Sequence, residues 1–305
     1  MGIDREQPAL TQPADSLGGL GLTAILVAGA RAAESARPDR LFDDPFAQTF
    51  VDAAAAASPK IAQALEASPD EAVNQARRDS VAVRTRFCDD YLLMAARSGC
   101  RQIVLLAAGL DARAFRLPWP EGVRSWEIDM PDVFAFKERV IANQSATAAC
   151  ERRIIPADLR EDWPQTLIDA GFDPAQPAAW LIEGLLMYLD ERERDLLMNR
   201  VGAISGAGSH IAMDHRGGFF SPPPVTSADD PSGNKAAARF ATLAAAASSD
   251  PSLTAPEAWF SGHGWRPKVL DAAAVFTRYG RPVPLQAQPS TPGAARSWMA
   301  TAERV

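Results

Sequence analysis

Gln102-Ile103-Val104-Leu105-Leu106-Ala107-Ala108-Gly109-Leu110-Asp111-Ala112-Arg113 is the stretch that decides the fold. Residues 102–108 are a short continuous apolar run, the pattern of a strand buried on both faces in a parallel sheet. Gly109 closes the run, and a glycine there lets a bound molecule come close to the backbone. Further along the chain the pattern returns. Residues 123–129 read as a second strand ending in acids, 153–157 as a third, 179–183 as a fourth and 210–214 as a fifth. Pro156 suits the third only at a sheet edge or a strand end. Helical spacing fills the gaps over 130–143, 163–170 and 191–204. Strand–helix alternation of this kind predicts an α/β fold with a Rossmann-like, doubly wound sheet.

Upstream of the run, the first 98 residues read as a helical cover. After a loose arm (1–20), helices are expected over 22–37, stopped by Pro38, over 45–58, with Asp43-Asp44 as cap candidates, and over 70–98. In the last of these Val73, Val81, Phe87, Tyr91, Leu92 and Ala95 recur at near-helical spacing, and Gly99 closes it. Residues 99–305 form the core, with a lid insertion over 216–258 marked by Gly217-Gly218, Pro222-Pro223-Pro224 and Asp229-Asp230-Pro231. A strand over 265–270, a helix through Tyr279 and a strand over 297–303 would complete the sheet.

Composition narrows the class. The chain has 305 residues, 47% hydrophobic and 23% charged, which is enough to bury a large core. A net charge of −7 argues against a nucleic-acid partner, which would call for clustered Lys and Arg. No apolar run reaches the ~18–20 residues of a membrane span. Cys88, Cys100 and Cys150 lack metal-ligand spacing and are too few for a disulfide framework. His210 and His215 would point to opposite faces of a strand, so no metal site is expected. The start has no apolar signal core, and a soluble cytoplasmic protein is the expectation.

Four successive strand ends carry the chemistry: Gly109 with Asp111, Glu127 with Asp129, Asp158 with Leu159, and Glu183. In a doubly wound sheet the ligand lies outside these carboxyl ends. A dinucleotide fold would want glycine at 107, 109 and 112, and only Gly109 is present, which weakens a nicotinamide or flavin reading. Either Glu127 or Asp129 could accept hydrogen bonds from ribose hydroxyls, since period-two geometry puts both on one side. The crevice is acidic. It suits a ligand with ribose hydroxyls, an exocyclic amine and a positive charge, groups that S-adenosylmethionine carries. Its carboxylate would need a cation, and Arg84 or Arg86 could supply one.

Six segments, in order, resemble the leucine carboxyl methyltransferase-like family of S-adenosylmethionine-dependent methyltransferases, in its bacterial small-molecule branch. They are Arg31-Ala32-Ala33-Glu34 with Arg37-Pro38-Asp39-Arg40-Leu41-Phe42-Asp43-Asp44-Pro45-Phe46-Ala47, Val83-Arg84-Thr85-Arg86-Phe87, Ala107–Arg113, Glu127-Ile128-Asp129-Met130-Pro131, Ala157-Asp158-Leu159-Arg160 and Glu183-Gly184-Leu185-Leu186-Met187-Tyr188-Leu189. The resemblance implies a class I methyltransferase core. It implies that Arg84 holds the cofactor carboxylate, Gly109 lines the methionine side, Asp129 binds the ribose, Asp158 with Leu159 the adenine, and Glu183 faces the methionine moiety. Ala112 and Ala107 depart from the more usual residues without removing a charge.

The expected acceptor is a small molecule methylated on oxygen, a carboxylate or hydroxyl, in secondary metabolism. Carbon or nitrogen of an aromatic metabolite such as an indole is the alternative, and an NAD(P)-binding oxidoreductase or a silent scaffold stands behind it. Tyr188 is a candidate for the acceptor pocket. His215, just past the fifth strand, and His263, in the turn before Trp265, are the candidate bases.

Overall fold

The computed structural model describes residues 19–66, 71–215, 242–243, 250–284 and 297–305. The deciding run forms β1 (Gln102–Leu106), with all five residues buried. It lies between β2 (Arg124–Asp129) and β4 (Ala178–Ile182), parallel to both, with Leu106 beside Ile128 and Ile182. β3 (Glu151–Pro156) extends the sheet past β2, and β5 (His210–His215) past β4, both parallel. β6 (Trp265–Asp271) and β7 (Trp298–Arg304) complete seven strands in the order β3-β2-β1-β4-β5-β7-β6, with β7 antiparallel to both neighbours. Pro156 ends the edge strand, the position its missing N–H allows. The strand order reverses between β1 and β4, which opens a crevice at their carboxyl ends.

Helices α1 (Gly19–Ser35), α2 (Ala47–Ala57), α3 (Pro59–Glu66) and α4 (Glu71–Arg97) precede the sheet. The third was not anticipated. Ser58 breaks the run of alanines in an extended conformation, and Pro59 then opens a new helix, where its absent N–H costs nothing. Between and after the strands come α5 (Arg113–Arg116), α6 (Pro131–Ala142), α7 (Trp163–Asp169), α8 (Glu191–Ala203), α9 (Pro251–Thr254), α10 (Pro256–Gly262) and α11 (Ala272–Arg278).

Side-chain alternation along the strands splits the core in two. Val104, Leu106, Trp126, Trp180, Ile182 and Met213 face one way, against Trp163, Leu197 and Phe260 of α7, α8 and α10. Ile103, Leu105, Ala179, Leu181 and Ala212 face the other, against Phe87 and Leu92 of α4 and Phe276 of α11. A third cluster joins Ile25, Phe50 and Ile61 of α1–α3 to Leu110 and to Phe136 of α6. It seats the first three helices on the loop that follows β1, beside the crevice.

The expected arm falls, up to residue 18, outside the described residues, as do 216–241 and 244–249 of the expected lid. Among the described residues no helix is long and apolar enough to cross a membrane, and no cluster of His, Cys, Asp and Glu could hold a metal ion.

Candidate functional site at the carboxyl edge of the sheet

Beyond β1 the chain turns sharply. Ala107 and Gly109 both have positive φ, 54° and 52°. A Cβ on Gly109 would stand 3.5 Å from the Ala24 side chain of α1, so the loop is held close under that helix. The Gly109 N–H donates to Asp129 Oδ2 at 2.5 Å, and Met130 N–H to Asp129 Oδ1 at 2.7 Å. Burial pushes the Asp129 carboxyl above its usual range, against the pull of these two bonds. A carboxylate can accept about four hydrogen bonds. The two made here fix its orientation and leave capacity for the vicinal hydroxyls of a ribose.

Glu127 does not share this role. Its side chain is fully buried, 2.7 Å from Lys137 Nζ of α6 and bonded twice by Arg152 of β3 at 2.8 and 2.6 Å. The expectation that either acid could meet a ribose is therefore corrected. A fully buried glutamate engaged by Lys137 and by Arg152, which also pairs with Glu138 at 2.8 Å, has no surface to offer a ligand. Asp111 is also corrected, since its oxygens take the Arg113 N–H at 2.6 Å and the Arg113 guanidinium. It positions Arg113 instead of lining the crevice.

Arg113 was quoted in the sequence motif without a role, and the structure gives it one. It is buried, with Nε 2.6 Å from Asp89 and Nη1 on both Asp111 and Glu183, the latter at 2.7 Å. Arg84 of α4 takes the other Glu183 oxygen at 2.7 Å and lies 3.6 Å from Asp214 of β5. Arg116 pairs with Asp89 at 2.8 Å. Desolvation would raise the Glu183 pKa, but Arg113 and Arg84 outweigh it and hold the carboxyl well below its usual range. Three arginines thus face four carboxylates (Asp89, Asp111, Glu183 and Asp214), an excess of one negative charge. The methionine end of S-adenosylmethionine, with an ammonium, a carboxylate and a sulfonium, carries one positive charge. Of the two candidate arginines, Arg86 turns away: it is half-exposed, bonded to Asp90 and to the Leu41 carbonyl.

Asp158 and Leu159 follow β3. Asp158 accepts the Arg160 N–H at 2.9 Å and pairs with its exposed guanidinium, which lowers the carboxyl pKa. The Leu159 carbonyl accepts from Arg200 of α8 at 2.9 Å. Tyr188 ends a 3-10 turn, Leu186–Tyr188, that follows β4 and is half-buried. Buried Arg194 of α8 anchors that turn through the Leu186 carbonyl (3.0 Å) and the Leu189 carbonyl, and pairs with Asp250.

The two candidate bases fare differently. His215 is the last residue of β5 and not past it; it is buried, and among the described residues neither ring nitrogen has a hydrogen-bond partner. Desolvation, aided by Arg194, lowers its pKa to about 4 against the pull of Asp214 and Asp250, which makes it a poor proton acceptor. His263 caps α10, two residues before β6 begins at Trp265. β6 runs parallel to β5, both being antiparallel to β7. His263 therefore stands at the amino edge of the sheet, a strand's length of about 17–20 Å from the crevice. Its Nδ1 contacts the Trp259 carbonyl at 2.8 Å, and its Nε2 lies 3.5 Å from Asp195. His263 is corrected from base to structural cap.

The family profile of leucine carboxyl methyltransferase matches residues 24–202. A protein of Parafrankia sp. (strain EAN1pec), provisionally named an S-adenosyl-L-methionine-dependent methyltransferase, is 44% identical over 273 residues, 88% of this chain and 84% of the relative. One of Mycobacterium ulcerans (strain Agy99), under the same provisional name, is 40% identical over 289 residues, 90% of this chain and 92% of the relative. A crystal structure from Thermobifida fusca YX, provisionally described as a methyltransferase, aligns with a TM-score of 0.47 at 15% identity, covering 90% of this chain and 94% of that one.

Proposed function

The chain belongs to the leucine carboxyl methyltransferase family and is an S-adenosylmethionine-dependent methyltransferase, and from that premise we propose that it methylates an oxygen, carboxylate or hydroxyl, of a small molecule. The observation that carries the cofactor's seat is the pairing of the Gly109 N–H with Asp129 at the reversal of strand order, beside the Arg84–Glu183–Arg113 cluster. In this reading Asp129 holds the ribose hydroxyls and the turn at Gly109 passes close to the methionine side. Glu183 faces the ammonium, Arg84 turns a guanidinium edge to the carboxylate, and Asp158 with Leu159 borders the adenine. Arg113 keeps Glu183 ionised and in place throughout.

S-adenosylmethionine supplies a methyl group on a sulfonium, which passes to a nucleophilic atom while the C–S electron pair stays on sulfur. The protein's share is alignment and exclusion of water. Helices α1–α4 serve as the cover, and Tyr188 borders the acceptor. An oxygen acceptor is supported by the carboxyl in the family's name. A carboxylate is ionised at neutral pH and can take a methyl group without a base.

Incubation of the protein with S-adenosylmethionine and a metabolite extract, followed by mass spectrometry, tests this reading. An O-methylated product is expected. A product methylated on carbon or nitrogen overturns the choice of oxygen.

A further inference from the structure

Helix α6 buries Val133, Phe134, Phe136, Lys137, Val140 and Ile141. Positions 133, 137, 140 and 141 recur at the spacing of one helix face, so a lysine lies in the apolar stripe that packs on the protein's core. Its side chain is fully buried, where lysine is almost never found without a partner. The partner is Glu127, 2.7 Å from Nζ. Yet Glu127 does not account for the lysine. Arg152 reaches both Glu127 oxygens, at 2.8 and 2.6 Å, and so answers that carboxylate by itself. A second buried cation costs desolvation, and an apolar residue often serves as well in such a place.

We infer that Lys137 is a positioning residue for the cofactor: from behind the Gly109 turn its ammonium supports the negative charge that Asp129 offers to the ribose hydroxyls. This rests on the reading of Asp129 as the ribose acid. Glu127 and Asp129 leave β2 on the same side, and α6 begins at Pro131, two residues after Asp129, so the ammonium that Glu127 holds stands behind that carboxylate. Burial pushes the Asp129 carboxyl up; the Gly109 and Met130 N–H groups and then Lys137 pull it down, with Asp132 of α6 opposing them. Burial also opposes ionised Asp111, and Arg113 followed by Lys137 outweighs it. The other charges around the turn are paired: Arg152 with Glu127 and Glu138, Arg113 with Asp89, Asp111 and Glu183, Arg160 with Asp158, and Arg31 of α1 with Asp44. Asp129 has to be ionised for its work, because protonation turns one acceptor oxygen into a donor. Being fully buried, Lys137 touches neither cofactor nor acceptor and acts through Asp129.

The Asp129 carboxyl can be followed by carbon NMR on the full chain labelled at aspartate, without cofactor, and assigned by its loss in Asp129→Ala. In Lys137→Gln, which keeps a donor for Glu127, its titration should move up by about one pH unit or more. Lys137→Met should move it in the same direction and carries the test where the glutamine variant does not fold. Arg152→Gln removes the other cation on Glu127 and should move it far less. Calorimetric titration with S-adenosylmethionine reads the consequence. Binding weakens as pH falls through the Asp129 pKa, and loss of the ammonium raises that pKa. Affinity in the Lys137 variants should therefore stay within about threefold of wild type at pH 7, with the acid limb displaced to higher pH by the same step as the carboxyl titration. An Asp129 titration that stays in place in the Lys137 variants overturns the inference, as does an equal shift in Arg152→Gln, the mark of a general loosening. Unchanged cofactor affinity in Asp129→Ala is a separate failure: it removes the ribose reading, and this inference with it, even where the carboxyl titration shifts as expected.

Discussion

At the scale of single residues, the two acids at the end of β2 do different work, and substitution separates them. Glu127→Gln removes the counter-charge of fully buried Lys137, while Arg152 keeps Glu138, and should lower stability by about 3–5 kcal/mol, as breaking a buried ion pair does. Denaturant unfolding reads this, and cofactor affinity of the folded fraction should be unchanged. A second pair concerns backbone geometry. Gly184 and Gly280 have φ of +67° and +66°, so alanine at either strains the backbone by about 1 kcal/mol. At Gly184 the new Cβ would also lie 2.8 Å from Arg84 Nη1, whereas at Gly280 nothing stands within 4 Å. Calorimetry should show weaker S-adenosylmethionine binding in Gly184→Ala only; equal affinities in the two variants would remove Arg84 from the cofactor's seat. Asp129 and Glu183 were singled out in the sequence because each ends an expected strand, Asp129 at a suggestive spacing from Gly109 and Glu183 next to Gly184, inside segments that resemble the family. Arg113 was not, because an arginine carries no sequence mark of burial. Its role appears only when three carboxylates from α4, the β1 turn and β4 converge on it.

At the scale of elements, strands were legible where both faces are buried and a continuous apolar run results, as in β1 and β4, all of whose residues are buried. The end of α2 at Ser58 was read from the sequence, but α3 was missed because its eight residues give barely two turns of pattern. His215 was set outside β5 because the strand's length is fixed by pairing with β7, where His215 faces Trp298, and not by β5's own sequence. Helix α8 has a reciprocal cap: Asp190 accepts the Glu193 N–H at 2.9 Å, and Glu193 accepts the Asp190 N–H at 2.8 Å. Asp190→Ala should cost about 1 kcal/mol, read as a fall of about 2 °C in Tm. Because α8 also carries Arg194, which anchors the turn at Tyr188, any change in acceptor turnover beyond that expected from stability would tie the cap to the site.

At the scale of the whole molecule, burial of charge sets the response to acid. His215 is held neutral, its pKa lowered from 6.5 to about 4 by desolvation and Arg194 against Asp214 and Asp250. The unfolded chain therefore takes up that proton first. The stability tied to the neutral ring is fully present above pH 6.5 and is lost as pH falls toward 4, about 3 kcal/mol in all. Glu183 adds a second loss below its ordinary value of 4.5, because its folded pKa is depressed. Unfolding free energies measured from pH 7 to 4 should fall more steeply in the wild type than in His215→Leu. Parallel slopes would show that the ring is not buried neutral. Doubly wound topology and the order of acids along the carboxyl edge could be read from the sequence, but which acid is spent on structure depends on contacts between segments far apart in the chain.

The central claim is that the carboxylate fixed by the Gly109 N–H is where the cofactor's ribose is held. Calorimetric titration of S-adenosylmethionine into wild type and Asp129→Ala tests it most directly. The account predicts one site per chain in the wild type and an affinity about 10- to 100-fold weaker in the variant, the loss of hydrogen bonds to a charged acceptor. Equal affinity in a variant that remains folded would contradict it.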